Sequence, residues 1–278
     1  MAARLLIVDD DLLTLEVVRL ALCDYSTTTA RSGEEALEIY DRQPFDAVIC
    51  DLCLPGIQGF EVIRRIRQKE PEARVLVMTG YDPQERLIAS LRENIIDFLA
   101  KPFEVEDLRS AVANLLASEA SIEVLCAQPQ WIELRIPASF QVVSRLNMFF
   151  EQLHAGIDAA TRQSISTAFR ELLNNAIEHG CEGDARRRIT ICYLRLSQVV
   201  LYRIQDPGRG FNLEELAHAA ITNPAEDPLR HTDIRQERGL RPGGFGILCA
   251  RGIADELIYN TLGNEVIFAR YLNGKPKD

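Results

Sequence analysis

Short apolar runs alternate with amphipathic stretches through the first 116 residues, and this alternation restricts the fold more than any other feature of the sequence. Each run is too short for a helix and has the length of a buried parallel strand. The intervening stretches have helical spacing, and Asp11 is placed to cap the first of them. The predicted strands are residues 5–8, 25–30, 47–50, 75–78 and 96–100. We therefore predict an α/β domain over residues 1–120, with a doubly wound five-stranded parallel sheet.

The second half of the chain shows a different order of elements. A strand-like segment begins at residue 131, helical stretches follow at 140–153 and 158–179, and two strand-like segments come next in direct succession. A polar stretch over residues 212–242 then precedes a glycine-rich helix start and two closing strands. Grouped helices and successive strands predict an α+β domain over residues 131–275. Residues 121–130, with glutamine and proline, are predicted to be the linker.

Polar side chains follow several strands of the predicted parallel sheet. Asp9 and Asp10 follow the first strand, Asp51 follows the third, and Thr79 and Lys101 end the fourth and fifth. In doubly wound sheets the functional site lies at the carboxyl ends of the strands. Clustered carboxylate oxygens suit Mg²⁺, and a hydroxyl and an ammonium beside them suit a phosphoryl group. We therefore predict a phosphoryl-transfer site in which Asp51 is the nucleophile.

Four segments of this region resemble the response-regulator receiver family, whose fold is flavodoxin-like. They are Ile7-Val8-Asp9-Asp10, residues 50–56, Met78-Thr79-Gly80 and Phe98-Leu99-Ala100-Lys101-Pro102. The four segments occur in the family's order and at its spacing. The resemblance implies that a cognate histidine kinase supplies the phosphoryl group that Asp51 accepts.

The same resemblance implies a role for each residue around Asp51. The Mg²⁺ ligands would be Asp10, Asp51 and the backbone carbonyl of Cys53, with Asp9 nearby. Thr79 would donate to a phosphoryl oxygen, and Lys101 would pair with the phosphoryl group. Phe98 would change rotamer on activation. The peptide bond between Lys101 and Pro102 would be cis.

A second group of polar and glycine residues lies in the second half. Glu171, Asn175 and His179 recur every four residues, so a helix would place them on one face. A glycine-bearing segment, residues 206–211, follows a strand, and residues 243–246 open a helix whose free N–H groups suit a polyphosphate. Each segment alone also fits a simpler interpretation, namely a polar helix face, a tight turn and an ordinary glycine cluster.

Together these segments resemble the Bergerat-type ATPase fold that histidine kinases, gyrase-like ATPases and anti-sigma serine kinases share, over residues 131–272. The resemblance implies that ATP binds with Mg²⁺, that Asn175 coordinates the metal, and that Asp206 accepts from the adenine amino group. Residues 212–242 would form a lid over the nucleotide. The other implied nucleotide contacts are His179, Gly208, Gly210, Arg241, Gly243, Gly244 and Gly246.

The order of elements favours the anti-sigma serine kinases within this fold. Residues 131–139 lead directly into the two helices, and only His154 precedes the Glu171 segment, so a phosphoacceptor hairpin is missing. In that family Glu171 would be the base for a serine hydroxyl of a partner protein. The implied partners are a sigma factor or an anti-sigma antagonist, and the implied assembly is a homodimer. An ATP-dependent binding module without kinase activity and an atypical histidine kinase remain as alternatives.

Composition indicates where the protein works and which partners it lacks. The formal net charge is −10 and falls within residues 1–125, so no basic footprint for nucleic acid is present. Three consecutive arginines, residues 186–188, are interpreted as a solvated strand end. An early acidic triplet and seven cysteines, mostly within apolar runs, predict a cytoplasmic protein with reduced thiols. No apolar run has the length of a membrane span, so no membrane partner is predicted.

Overall fold

Buried apolar runs form the parallel sheet of the first half of the chain. The computed structural model describes residues 2–80, 84–92, 97–117, 122–154, 156–211, 227, 230–237 and 245–274. Two compact units, Met1–Glu119 and Ala120–Asp278, divide the chain. The strands of the first unit are β1 (Arg4–Val8), β2 (Ser26–Ala30), β3 (Ala47–Asp51), β4 (Val75–Thr79) and β5 (Asp97–Ala100). They pair in parallel in the order β2-β1-β3-β4-β5, which confirms the predicted doubly wound sheet.

Local capping interactions start the helices that connect these strands. The Asp11 carboxylate accepts from the backbone N–H groups of Leu13 and Thr14, and the Ser32 hydroxyl accepts from Glu35 N at 3.2 Å. In the described residues the helices are α1 (Leu12–Ala21), α2 (Gly33–Arg42), α3 (Gly59–Lys69), α4 (Gln84–Arg92) and α5 (Val105–Ala117). Helix α1 packs beside α5, and α2 packs beside α3.

An antiparallel sheet with helices forms the second unit. Its strands are β6 (Glu123–Gln128), β7 (Trp131–Pro137), β8 (Arg188–Arg195), β9 (Val199–Gln205), β10 (Glu256–Tyr259) and β11 (Glu265–Tyr271). They pair in the order β10-β11-β9-β8-β7-β6, which confirms the predicted α+β architecture. The described helices are α6 (Phe140–Leu153), α7 (Ala159–Asn175), α8 (Arg230–Glu237) and α9 (Gly246–Ile253).

In the second unit the structure corrects the predicted linker and changes the helix type at the end of one predicted helix. Residues 123–128 of the predicted linker form β6, which pairs antiparallel with β7 and carries a bulge between Val124 and Cys126. The polar residues on both sides of this short apolar segment hid its strand character. The helix predicted over 158–179 ends its α-helical part at Asn175 and continues as a π turn, Ala176–Gly180. Such wider turns often occur at functional sites.

Aromatic side chains hold the helices of the second unit against its sheet. Phe169 of α7 lies 4.7 Å from Tyr202 of β9 between ring centroids, and Phe150 of α6 meets both rings at 5.2 and 5.1 Å. His154, which ends α6, is 1% exposed, and its Nε2 lies 3.4 Å from the Tyr202 hydroxyl. Burial, with the charges of Arg195 and Arg162, lowers the pKa of His154 to about 3. Among the described helices, none is both long and apolar enough to cross a membrane.

Candidate functional site

Buried carboxylates meet at the carboxyl edge of the parallel sheet. Lys101, directly after β5, donates from Nζ to Asp9 Oδ2 at 2.6 Å and also to Asp51 Oδ2. Asp9 is 0% exposed and Asp51 is 6% exposed. The strand order places β1 and β3 side by side, so residues that are 42 positions apart in the sequence reach one ammonium group.

Backbone groups fix these side chains in place. The other Asp51 oxygen, Oδ1, accepts from Cys53 N at 2.8 Å, and Asp9 Oδ1 accepts from Asp11 N at 3.0 Å. Lys101 N donates to the Thr79 carbonyl at 2.7 Å, and the peptide bond to Pro102 is cis. Thr79 is therefore held beside Lys101 at the predicted edge.

Burial and hydrogen bonding together set the charge state of this edge. Burial raises the pKa of Asp9, although the hydrogen bond from Lys101 opposes that effect. Burial alone would lower the pKa of Lys101, but the hydrogen bonds to Asp51 and Asp9 raise it overall. Lys101 therefore stays cationic and compensates the two carboxylates.

The oxygen atoms at this edge fit a hard cation such as Mg²⁺. Asp9 and Asp51 provide converging carboxylates, and Asp10 is exposed at the same strand end. No three Cys, His, Asp or Glu side chains of the described residues are grouped so that they could hold a metal alone. A metal here would therefore also need backbone oxygen or water, which agrees with the predicted use of the Cys53 carbonyl. Phe98, the predicted switch residue, is 1% exposed.

The start of α9 lies against the polar end of α7. A Cβ atom added to Gly246 would lie 3.0 Å from Glu171 Oε2 and 3.4 Å from Asn175 Nδ2. Glu171 and Asn175 therefore share a face, as predicted. The Asn175 Nδ2 atom is buried and has no hydrogen-bond partner among the described residues. An unpaired buried amide beside the N-terminus of a helix fits a polar, anionic ligand.

The π turn changes the predicted place of His179. A π turn contains more residues per turn than an α-helix, so it displaces His179 from the position that a continuous α-helix would give it. His179 is exposed. The predicted place of His179 on the face of Glu171 and Asn175 assumed an α-helix as far as residue 179, and its role stays a prediction.

The predicted adenine acceptor lies at the end of β9, against the π turn. Asp206 Oδ1 accepts from Gly208 N at 2.8 Å, and a Cβ atom at Gly180 would lie 2.2 Å from Asp206 Cγ. Gly210 has a φ of +74°, which favours glycine. Burial raises the pKa of Asp206, while the Gly208 N–H group and the charge of Arg187 oppose that effect.

A turn between β10 and β11 supports this segment, and the sequence prediction missed it. Asn264 Nδ2 donates to the carbonyls of Asp206 and Gly208 at 3.1 and 3.4 Å. Asn260 Oδ1 in turn accepts from the backbone N–H groups of Gly263, Asn264 and Glu265. The Asn-x-x-Gly spacing from residue 260 indicates a tight turn, but no local pattern indicates contact with residues 206–208.

Part of the predicted nucleotide site lies outside the described residues. Arg241, Gly243 and Gly244 are in this group, and so is most of the predicted lid. Within the lid segment, residues 230–237 form α8. The roles predicted for the two glycines and Arg241 stay predictions.

Both halves of the chain match known protein families. Residues 5–113 match the response regulator receiver domain, and residues 136–270 match the histidine kinase-like ATPase domain. The response regulator protein FleR of Pseudomonas aeruginosa is 36% identical over 116 residues, which cover 41% of this chain and 24% of that protein. The response regulator MprA of Mycolicibacterium vanbaalenii is 36% identical over 118 residues, covering 42% and 51%.

Solved structures are also similar to part of this chain. A putative response regulator from Chloroflexus aurantiacus is 38% identical and covers 42% of this chain and 100% of its own, with a TM-score of 0.40. The chain spans about a quarter of the length of FleR and about half of that of MprA. The two family matches occupy separate units and together extend from residue 5 to residue 270. The chain therefore joins a response regulator receiver domain to a histidine kinase-like ATPase domain.

Proposed function

We propose that this protein is a two-component response regulator that is phosphorylated on Asp51 and controls an ATP-binding output domain of the anti-sigma factor and serine-kinase type. The main support for the output domain is that Gly246 lies against Glu171 and Asn175. This contact brings the predicted phosphate-binding start of α9 next to the predicted metal-binding end of α7. The ion pairs of Lys101 with Asp9 and Asp51 support the proposal for the receiver.

At the receiver site, Asp51 accepts the phosphoryl group and becomes an acyl phosphate. Lys101 already contacts Asp51, so it pairs with the transferred group with little movement, and Thr79 lies beside Lys101 to donate a hydrogen bond. Mg²⁺, held by Asp10, Asp51 and the Cys53 carbonyl, would neutralise the charge of the phosphoryl oxygens. The cognate donor is a histidine kinase.

At the ATPase site, this chain's own residues can bind and orient ATP. Asp206 would accept from the adenine amino group, and Asn175 would coordinate the Mg²⁺ that accompanies the phosphates. The free N–H groups at the start of α9 bind phosphate oxygens. Glu171 lies next to Gly246 and takes the proton from the serine hydroxyl of a partner.

The partners follow from the family that the sequence resembles. The output domain would bind a sigma factor or phosphorylate an anti-sigma antagonist, as a cytoplasmic homodimer. An atypical histidine kinase is disfavoured because His154 is the only histidine before the Glu171 segment, and it is 1% exposed. Its ring packs against Tyr193 and Tyr202, so a phosphoryl donor has no access to it.

A labelling experiment tests the proposed kinase. The full chain is incubated with γ-labelled ATP, Mg²⁺ and a candidate antagonist, and label on an antagonist serine is measured. Transfer by the unaltered chain, and its loss in Glu171→Ala with ATP affinity intact, are expected. Tight partner binding without label would replace the kinase with an ATP-dependent binding module. Acid-labile, base-stable label on the chain itself would favour a histidine kinase, because an acyl phosphate on Asp51 is lost in base.

A further inference from the structure

The carboxylate of Asp206 lies against the Cα position of Gly180, the last residue of the π turn. A Cβ atom at Gly180 would lie 2.2 Å from Asp206 Cγ and 2.3 Å from Oδ1. A Cβ atom at Gly208 would lie 2.5 Å from the Gly180 carbonyl oxygen. The Gly180 peptide is therefore enclosed between the acceptor carboxylate and the following glycine segment. Any rotation of this peptide moves the surface against which the carboxylate lies.

Arg187 contacts the Gly180 peptide through a side-chain hydrogen bond. Its Nη1 donates to the Gly180 carbonyl oxygen at 3.1 Å in a partly buried contact. The Arg187 backbone is itself anchored, because its N–H donates to the Asp184 carbonyl at 3.0 Å and its carbonyl accepts from Ala138 N at 3.1 Å. The guanidinium group therefore extends from a fixed backbone to the π turn.

The neighbouring arginine provides a contrast within the same basic run. Arg186 is 91% exposed in its side chain and pairs with Asp184 on the surface. The interpretation of this run as a solvated strand end suits Arg186, whereas Arg187 is 39% exposed in its side chain and reaches both the Gly180 carbonyl and, at 3.6 Å, Glu182 Oε1. The positive charge of Arg187 also acts on Asp206, since it opposes the rise that burial causes in the pKa of that carboxyl.

We propose that Arg187 is a positioning residue that sets specificity for the nucleotide base, acting through the Gly180 carbonyl on the Asp206 carboxylate. The inference rests on the proposed binding of ATP by this domain. Adenine presents an amino donor to a fixed carboxylate, whereas guanine presents a carbonyl oxygen at the same position. A carboxylate held in one orientation accepts from the adenine amino group and repels the guanine carbonyl oxygen. A carboxylate whose orientation is less fixed discriminates less between the two bases.

The test compares ATP and GTP as ligands. Their dissociation constants are measured by calorimetry with Mg²⁺ for the full chain, Arg187→Gln, Arg187→Lys and the matched control Arg186→Gln. We expect Arg187→Gln to weaken ATP binding by about tenfold, in line with losses at other supporting residues, with a smaller change for GTP. The ATP preference should be retained in Arg187→Lys, which keeps a donor and the charge, and in Arg186→Gln.

The outcomes separate this inference from the proposed function. An equal loss for ATP and GTP in Arg187→Gln, or no loss, would overturn the inference while ATP binding by the unaltered chain stands. Absence of ATP binding to the unaltered chain would overturn both. If Arg187→Gln does not fold, as measured by Trp131 fluorescence, Arg187→Met serves instead, because it keeps the aliphatic stem but has no donor for the Gly180 carbonyl. An unchanged ATP preference in Arg187→Met would overturn the inference.

Discussion

At the scale of single residues, Lys101 compensates the charge of two buried carboxylates in the receiver. Its ammonium contacts two carboxylates whose side chains are 1% and 9% exposed. Two buried anions at one sheet edge repel each other, and few other groups can compensate them there. Charge balance at this edge therefore matters for the stability of the receiver.

Lys101→Met should destabilise the receiver at neutral pH. The change leaves Asp9 and Asp51 buried without their common cation, a situation that costs about 3 kcal/mol in comparable buried pairs. The free energy of unfolding is measured by urea denaturation, with circular dichroism as the probe. The double variant with Asp9→Asn should recover part of the loss, because only one carboxylate then remains. Equal stability of Lys101→Met and the unaltered chain would contradict this account.

His154 should make the second unit sensitive to acid. Its pKa is about 3 in the folded protein and near 6.5 when exposed, so below pH 6.5 the unfolded chain binds a proton that the folded chain excludes. The free energy of unfolding is therefore not reduced by His154 above pH 6.5. It decreases as the pH falls toward 3, by about 1.4 kcal/mol per pH unit. His154→Phe should flatten this dependence between pH 6.5 and 4.

The measurement uses a probe that the sequence provides. Trp131 in β7 is the single tryptophan of the chain, so its fluorescence follows unfolding of the second unit. Tyr202→Phe is the control, since it removes the hydroxyl next to His154 Nε2 but leaves the imidazole to titrate. Its stability should be lower at every pH with an unchanged slope. A slope in His154→Phe equal to that of the unaltered chain would refute the assignment.

At the scale of elements, α9 combines tight packing at its start with open space near its end. Gly246 lies against Glu171 and Asn175, whereas a Cβ atom at Gly252 would have nothing within 4 Å. The close approach explains why a glycine is needed at the first position of this helix. It brings the helix N-terminus close to the polar groups of α7.

Gly246→Ala should weaken ATP binding without unfolding the second unit. The added methyl group pushes the helix start away from Glu171 and Asn175, and we expect the dissociation constant to rise about tenfold, equivalent to about 1.4 kcal/mol. Gly252→Ala is the matched control in the same helix. It should leave the affinity unchanged and stabilise the fold by about 0.5 kcal/mol. Calorimetric titration and Trp131 fluorescence measure the two quantities.

At the scale of the whole molecule, a response regulator receiver domain and a histidine kinase-like ATPase domain share one chain. If the receiver controls the output domain, the two ligands must be coupled in free energy, and such coupling is reciprocal. The sign of the effect depends on which state of the chain each ligand favours. Its size can be measured from either site.

Beryllofluoride, which mimics an aspartyl phosphate, should change the affinity of the full chain for ATP. Typical coupling energies correspond to changes of about 5-fold to about 150-fold. ATP should then change the affinity for beryllofluoride by the same factor, which titrations of the two ligands in either order can check. Asp51→Asn is the control and should abolish the effect. Equal ATP affinities with and without beryllofluoride would show that the two units work independently.

The sequence alone determined the two folds and the grouping of several polar residues in each candidate site. Periodic apolar runs are local, and parallel topology then brings the carboxyl ends of β1, β3 and β5 together, so Asp9, Asp51 and Lys101 could be predicted as one cluster. Glu171 and Asn175 were predictable for a similar reason, since an α-helix places residues four apart on one face.

Only the tertiary structure decided the features that depend on contacts between distant segments. Asn264 supports Asp206 across 58 residues, and Arg187 holds the carbonyl of Gly180, yet neither contact leaves a periodic pattern in the sequence. The π turn over residues 176–180 also leaves no periodic signal in the sequence, and its last residue, Gly180, lies against Asp206 and Gly208. Strand β6 likewise formed where β7 offered a free edge, although its flanking residues are typical of a linker.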